Sequence, residues 1–244
     1  MALNHDISTP FYEQIRDYLL GKIEAGEFLP HTQIPSERLL SEQFGVSRMT
    51  VKHAITELVS HGWLYTRVGK GTFVNDTPIT QQLNTLTGFS EDMAKLGKPT
   101  ASRVLRAQMT KADKRLADKL KLSLGQPVAE LKRLRLANQQ PVAIETSYLN
   151  AQFCPTLLEE HDFTNKSLYS VLREDYDLVL SYAEQNINAR MANAHEGELL
   201  DADEGFPLLH ITRVTFLKDD TPIEYVESVY RGDRYIFRAR LTSL

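Results

Sequence analysis

The chain has 244 residues, 42% of them hydrophobic and 25% charged, and this composition excludes general disorder and indicates an ordinary globular protein. The length accommodates one small domain and a second of about 150 residues, each with its own core. No apolar run approaches the roughly 20 residues that span a bilayer, and residues 1–25 lack the apolar core of a signal peptide, so we expect a cytoplasmic protein with no membrane partner.

The distribution of charge is more informative than its total. A formal net charge of −4 argues on its own against nucleic-acid binding, since phosphate-binding domains are usually basic. Between residues 50 and 71, however, basic side chains outnumber acidic ones. The net charge therefore does not exclude a nucleic-acid-binding surface in that segment.

Apolar side chains at helical spacing begin the N-terminal region. They run from Phe11 to Ile23, behind a cap at Thr9, and Gly26 ends the pattern. This spacing predicts one amphipathic helix.

A second and a third helix are predicted at a short interval. Ser36 is placed to cap the second helix, which ends at Gly45, where a left-handed turn is needed. Ser47 is placed to cap the third helix, which ends at Gly62. A helix, a short turn with glycine and a further helix are typical of the helix-turn-helix motif.

Positive side chains mark the third helix and the segment after it. Arg48 and Lys52 are four residues apart, so both project from one face near the start of the helix, the end that a DNA major groove accepts. Two short extended runs then predict a hairpin with Gly69, Lys70 and Gly71 at its tip. The glycines would let the backbone approach phosphate groups closely, as in a wing.

These motifs resemble the DNA-binding domain of the GntR superfamily. The resemblance rests on residues 35–38 (PSER), 44–51 (FGVSRMTV) and 69–74 (GKGTFV) and implies a winged helix-turn-helix over residues 1–76. The residues that it implies at the operator are Arg38, Ser47, Arg48, Thr50 and Lys52 from the helices and Gly69 and Lys70 from the wing. Many members have Arg-Gln where this chain has Lys52-His53, and since lysine lacks the planar fork of arginine, Lys52 is expected at a phosphate group.

The pattern changes class after residue 76. Residues 77–84 are interpreted as a polar linker, and residues 85–244 as a second domain. Short helices are predicted at 89–96, 111–122, 168–175 and 192–199, and strands at 102–109, 128–137, 141–149, 180–189, 208–217, 222–230 and 235–241. Tight turns at 138–141 and 218–221 indicate antiparallel hairpins, so the prediction is an α+β domain with helices on one face of an antiparallel sheet.

The two hairpins also resemble each other. Arg133 is followed by Pro141, and Arg213 by Pro222, at nearly equal spacing, and each proline starts a strand that carries glutamate. The pattern indicates either an internal duplication or the independent convergence of two antiparallel hairpins.

A pair of arginines is the most unusual chemical feature of this domain. Arg133 and Arg135 alternate along a predicted strand, which puts both side chains on one face, roughly 7 Å apart. Two guanidinium groups so close repel unless an anion bridges them, and a phosphate or carboxylate fits the arginine fork. Ser90 and Ser167 stand at helix starts, which also favour anions. The alternative is a surface network in which Arg133 and Arg135 pair with Glu145 and Glu130.

The second domain resembles the effector-binding domain of the HutC-type subfamily, the UTRA domain. The motifs are residues 86–93, 133–135, 141–145, 167–169 and 228–235. The resemblance implies a chorismate-lyase-like fold without lyase activity and, nearest to the N-acetylglucosamine-utilisation repressors, a response to amino-sugar phosphates. It implies a phosphate site at Ser90, Arg133, Arg135, Ser167 and Tyr169, and a sugar site at Glu145, Glu224 and Tyr230.

The sequence predicts neither a cofactor nor a metal site. Cys154 is the single cysteine, so it has no disulfide partner and is expected in a core. His53 and His61 have no third ligand nearby in sequence and are interpreted as surface side chains.

The leading functional hypothesis is a homodimeric repressor of a sugar or amino-sugar operon. It would bind an inverted-repeat operator in double-stranded DNA and be released by a small anionic effector. A phosphorylated sugar is favoured as this effector over a carboxylate or a histidine catabolite. A lyase-like enzyme is a second hypothesis, but no catalytic motif supports it. A winged helix that serves as a protein-interaction module is a third.

Overall fold

The computed structural model describes residues 9–75, 78–97, 99–137 and 139–241, and the chain divides into two compact units, residues 1–80 and 81–244. The predicted domain boundary at 76–77 and Asn138 of the predicted turn lie outside the described residues. Within the described part, no helix combines the length and the apolar character that a bilayer span requires.

The N-terminal unit contains three helices and a hairpin. These elements are α1 (Phe11–Glu24), α2 (Glu37–Phe44), α3 (Arg48–Ser60), β1 (Leu64–Arg67) and β2 (Gly71–Val74). Ser36 accepts a hydrogen bond from the Leu39 amide, and Gly45 ends α2 with φ 66°, both as predicted. The predicted Thr9 cap is wrong, because Pro10 takes the N-cap position and offers no side-chain acceptor.

One apolar cluster holds this unit together. α1 contributes Ile15 and Leu19, both fully buried, and α3 contributes Val51 and Ala54, also fully buried. The buried side chains therefore lie along the predicted inward stripes of the helices, and the polar faces remain at the surface.

The second unit is built on a six-stranded antiparallel sheet. Its elements are α4 (Phe89–Lys95), β4 (Thr100–Lys111), α5 (Lys114–Leu120), β5 (Pro127–Ala137), β6 (Gln140–Asn150), α6 (Leu157–Glu160), α7 (Leu168–Asp175), β7 (Leu180–Met191), α8 (Ala194–Leu200), β8 (Pro207–Leu217), β9 (Pro222–Arg231) and β10 (Tyr235–Arg238). The sheet order is β4-β5-β6-β9-β8-β7. The helix predicted from residue 111 begins only at Lys114, because Lys111 still belongs to β4 and Asp113 caps the helix.

Helices cover both faces of the sheet, whereas the prediction placed them on one. Ala129 and Leu131 of β5 pack with α6 and α7. Val128 and Leu134, on the alternate positions of the same strand, belong to clusters with α5 and α8. Because apolar side chains occupy both faces of β5, both faces need cover.

Two β-α-β-β halves make up the sheet. The first three elements of the second half, β7, α8 and β8, each begin 80 residues after their counterparts in the first. The halves meet where β6 pairs with β9, in a register centred on Thr146 and Glu227. Arg133 of β5 and Arg213 of β8 hold equivalent positions. The repeat suggested by the hairpins is therefore present in the topology.

A strand occupies part of the segment interpreted as a linker. β3 (Ile79–Gln82) lies at the boundary between the two units and is hydrogen-bonded to β10. Ile79 and Gln81 are buried. A four-residue strand carries too little periodicity to be recognised in sequence, and its burial arises from pairing with a strand more than 150 residues away.

Candidate DNA-binding surface and effector pocket

The start of α3 presents two cations to solvent. The Ser47 hydroxyl accepts a hydrogen bond from the Thr50 amide at 3.1 Å and lies 2.9 Å from the Thr50 hydroxyl, which fixes the first turn. Arg48 and Lys52 are both exposed. This helix start is therefore rigid at its backbone and positively charged at its surface.

Arg38 lies on α2 and forms an ion pair with Glu42 one turn later, at 2.8 Å. Both side chains are more than half exposed. An exposed pair of this kind contributes little stability, so the guanidinium group can exchange its carboxylate partner for a phosphate group at low cost.

The hairpin β1-β2 has an exposed, positively charged tip. Gly69 and Gly71 have φ values of 72° and 110°, in the region that favours glycine. Lys70 is exposed, and its carbonyl oxygen accepts a hydrogen bond from Gln33 Nε2 at 3.0 Å. A Cβ atom at Gly71 would collide with the same Gln33 amide. Sequence reasoning missed Gln33, which anchors the wing from a loop 37 residues away.

Two histidines of this unit that the sequence singled out are at the surface. His53 and His61 are exposed, and the His53 ring stacks on Tyr12 at 4.1 Å. Within the ranges that the structure describes, no cluster of side chains could hold a metal ion.

In the second unit, the structure brings all eight predicted effector residues to one small cavity. They come from the start of α4 (Ser90), from β5 (Arg133, Arg135), β6 (Glu145), the start of α7 (Ser167, Tyr169) and β9 (Glu224, Tyr230). The cavity has a volume of about 30 Å³. The sheet supplies its floor, and α4 and α7 supply side chains from above.

A buried ion triad occupies one end of the cavity. Glu145 Oε1 accepts hydrogen bonds from Nη2 of Arg133 and Nη2 of Arg135, both at 2.6 Å. The two arginines are 1% and 3% exposed. Pairing with Glu145 agrees with the alternative interpretation of these arginines, but the pair is buried and not a surface network. Glu130 instead accepts from Arg106, on the other face of β5.

The triad leaves donors without acceptors. Nε and Nη1 of Arg133 and Nε of Arg135 are buried and have no hydrogen-bond partner among the described residues. The guanidinium carbon of Arg133 lies 5.8 Å from the centroid of the Phe163 ring, and that of Arg135 lies 5.2 Å from the centroid of the Phe89 ring. An aromatic ring accepts no strong hydrogen bond, so the unmet N–H groups remain for an acceptor.

The charges of the triad are maintained by mutual contact. Burial by itself would raise the pKa of Glu145, but Arg135 and Arg133 outweigh it and hold the pKa at about 2. Burial, together with the nearby Arg135, lowers the pKa of Arg133 to about 10. Glu145 and Arg133 are therefore both charged near neutral pH.

The other end of the cavity is richer in hydroxyl groups. Tyr169 and Thr215 donate to Glu224 Oε2 at 2.9 and 3.1 Å. Burial, with the nearby Glu145 carboxylate, raises the pKa of Glu224. Tyr230 also lines this part of the cavity. Hydroxyl and carboxyl groups of this kind suit hydrogen bonding to a polyol.

Sequence reasoning did not assign several further lining residues, among them Arg213, Gln81 and Thr87. Arg213 Nε donates to Gln185 at 2.8 Å, and its equivalence to Arg133 in the repeated hairpins was the signal that could have found it. Gln81 of β3 lines the cavity and accepts a hydrogen bond from the Tyr235 hydroxyl at 3.1 Å. Thr87 precedes α4. Nothing in the sequence distinguishes Gln81 from other polar residues of the segment interpreted as a linker.

Comparison with known proteins agrees with both units. Residues 11–74 match the family of bacterial regulatory proteins called gntR, and residues 95–236 match the UTRA domain. The HTH-type transcriptional repressor NagR of Bacillus subtilis (strain 168) is 38% identical over 97% of each chain. The mannosyl-D-glycerate transport/metabolism system repressor MngR of Escherichia coli (strain K12) is 30% identical over 93% of this chain and 94% of its own.

A solved structure supports the same assignment. The crystal structure of PhnF from Mycobacterium smegmatis superimposes with a TM-score of 0.72, at 31% identity, and covers 94% of this chain and 100% of that one. This chain therefore belongs to the GntR family of bacterial transcription regulators, in the HutC-type branch with a UTRA domain, and it is a DNA-binding repressor and not an enzyme.

Proposed function

We propose that this repressor controls an operon for the use of a sugar or amino sugar and leaves its operator when an amino-sugar phosphate binds. The single observation that carries the proposal is the buried arginine pair with unmet N–H groups, in a cavity whose lining also includes several hydroxyl and carboxyl groups. One end suits an anion and the other a polyol. The relative named for mannosyl-D-glycerate is consistent with a sugar-derived anion.

We assign the operator contacts to residues of the 1–76 domain. The residues that would face the major groove and its phosphate groups are Arg38, Ser47, Arg48, Thr50 and Lys52. Those that would face the minor groove are Gly69 and Lys70. The exposure of Arg48, Lys52 and Lys70 supports this assignment. A homodimer would place one such domain on each half of an inverted repeat.

We assign the effector contacts to residues of the 85–244 domain, with 77–84 as the connecting segment. The residues that would hold the phosphate group are Arg133, Arg135, Ser90, Ser167 and Tyr169, and those that would hold the sugar are Glu145, Glu224 and Tyr230. Two of these contacts require a rearrangement, because Tyr169 now donates to Glu224 and Glu145 now accepts from both arginines. The Ser167 hydroxyl already accepts from the Ser170 amide, so it would keep its acceptor role at the helix start and donate its proton to the phosphate group.

The small size of the cavity supports a two-state response. A volume of about 30 Å³ holds about two water molecules, far less than a hexose phosphate. The ligand-bound form would therefore be wider than the form described. A ligand that fits only the wider form shifts the equilibrium toward it, which is the requirement for releasing DNA.

Operator release and calorimetry test the proposal. We expect glucosamine 6-phosphate or its N-acetyl form to dissociate the operator complex in a gel shift and to bind with measurable heat, while the corresponding neutral sugars do neither. Sedimentation should show a dimer that binds one inverted repeat. If neither phosphate ester binds or releases DNA, the amino-sugar assignment is wrong.

A further inference from the structure

One carboxylate oxygen serves two guanidinium groups at the anionic end of the cavity. Glu145 Oε1 is 2.6 Å from Nη2 of Arg133 and 2.6 Å from Nη2 of Arg135. The three side chains come from neighbouring strands, and Arg133 pairs directly with Glu145 in the β5-β6 register. The backbone therefore fixes the carboxylate between the arginines.

The triad is not balanced. Two cations face one carboxylate, and three of their N–H-bearing nitrogens are buried without a partner among the described residues. Arg135 Nη1 donates to Ser102 at 2.7 Å. Apart from the two Nη2 atoms on Glu145, it is the one nitrogen of the two guanidinium groups that has an acceptor among the described residues. A buried donor without an acceptor is costly, and an anion with several oxygens could satisfy more of these donors than one carboxylate does.

The equivalent position in the second half of the repeat is arranged differently. Arg213 of β8 corresponds to Arg133, but its register partner on β9 is Val226, not a carboxylate. Arg213 instead donates to Gln185 and to the Thr87 carbonyl oxygen. The carboxylate bridge is thus a feature of the first half alone, where two arginines lie side by side.

From this geometry we infer that Glu145 is an internal counter-ion, and that the anionic group of the effector displaces its carboxylate from Arg133 and Arg135. This inference rests on the proposed function and adds how the site distinguishes a sugar phosphate from a simple anion. The displaced carboxylate is freed to accept hydrogen bonds from hydroxyl or amino groups of the same ligand. An anion without such groups leaves Glu145 without donors, so it binds the native protein weakly.

The substitution Glu145→Gln separates this role from a simple sugar contact. The neutral amide cannot neutralise the two arginines, so inorganic phosphate no longer has a competitor. We expect Glu145→Gln to bind inorganic phosphate at least about tenfold more tightly than the native chain, because phosphate no longer has to displace a charge-assisted contact. Isothermal titration and the rise in unfolding temperature with phosphate, at constant ionic strength set with chloride, measure the difference.

A matched control lies on the same strand. Glu130 is also buried and also paired with an arginine, Arg106, but on the other face of β5. Glu130→Gln removes the same charge from the same unit and should leave phosphate affinity unchanged. In the double variant Arg135→Met, Glu145→Gln the gain in phosphate affinity should disappear.

A variant that folds poorly is still informative. If Glu145→Gln is recovered folded only in phosphate buffer, that dependence itself supports the inference. If it folds in neither buffer, Glu145→Asp decides, because the shorter carboxylate reaches both arginines less well and should also gain phosphate affinity. Phosphate binding no tighter than in the native chain, by whichever variant folds, would overturn the inference. These measurements use neither DNA nor a sugar, so they can fail independently of the amino-sugar assignment.

Discussion

The two units use arginine and lysine in opposite settings. Arg48, Lys52 and Lys70 are exposed, whereas Arg133 and Arg135 are almost completely buried. An exposed cation is solvated and meets any phosphate group with a salt-dependent attraction. A buried cation has already lost its water, so it needs an acceptor of defined position and charge. The first setting suits a repetitive polyanion, and the second suits selection of one small anion.

The pH dependence of stability probes the buried setting, with the largest expected effect. The pKa of Glu145 is about 2 in the folded chain against an ordinary 4.5, so its ionised form contributes stability above about pH 4.5, and this contribution is lost as the pH falls toward 2. Glu145→Gln should be less stable by about 3 kcal/mol at pH 7, and the gap should shrink below pH 4.5. Urea unfolding at several pH values measures this difference in the free energy of unfolding, and equal m values for the native chain and the variant are the control. A gap that is constant down to pH 3 contradicts the buried triad.

Removal of one buried arginine should abolish the effector response. Arg135→Ala takes away a charge-assisted contact to the phosphate group and leaves Arg133 and Glu145 as a one-to-one ion pair, so effector affinity should fall by about 100-fold, with little change in its salt dependence. Calorimetry measures it. Arg106→Ala, on the other face of the sheet and exposed at its side chain, is the control and should bind the effector normally. Equal losses in the two variants would argue for a general folding defect.

Removal of one exposed cation should have a smaller effect that depends on salt. Arg48→Ala should weaken operator binding by about 10-fold to 100-fold, and Lys70→Ala should weaken it less while reducing the salt slope by about one per protomer. Fluorescence anisotropy at salt concentrations from about 50 to 200 mM, a range over which counterion release changes affinity strongly, measures the operator affinity and the salt slope of both variants. Lys22→Ala is the control, because it removes a cation of α1 that is paired with Glu27. An unchanged slope in Lys70→Ala places the wing away from DNA.

The smallest effect is expected at Gln81, which lines the cavity from β3. Tyr235 donates to Gln81 Oε1, which orients the amide so that Nε2 is its donor. Gln81→Ala should lower effector affinity by less than about tenfold, the value of one neutral hydrogen bond, and leave operator binding without effector unchanged. Tyr235→Phe should reproduce part of the loss. If Gln81→Ala alters only operator binding, Gln81 does not contact the effector.

Local signals in the sequence identified the elements whose ends are set by neighbouring residues. Ser36, Ser47 and Gly45 end or start helices through contacts within four residues, so their types predict their structure. β3 and the Gln33 anchor of the wing were missed, because each depends on a partner far along the chain. The helix predicted over 111–122 was too long, because Lys111 belongs to β4, Asp113 caps the helix, and Lys121 ends it in the left-handed conformation.

The candidate site shows the same division. The eight effector residues could be named by motif resemblance, and the structure places them around one cavity. Strand alternation already places Glu130 on the opposite face of β5 from the two arginines, but only the register of β5 on β6 puts Glu145 beside Arg133. Arg213 and Gln81 join the cavity through sheet pairing between the two halves and with β10.

By itself, the sequence determined the class of the protein, the helices and hairpin of its DNA-binding unit, and the residue types of its effector pocket, because caps, periodicity and motifs act over a few residues. Only the tertiary structure decided that the eight effector residues line one small cavity, that helices cover both faces of the sheet, and that Glu145 holds the two arginines together. Those properties depend on which strands become neighbours and on the loss of water from the groups between them. Neither can be inferred from the residue type at any one position of the chain.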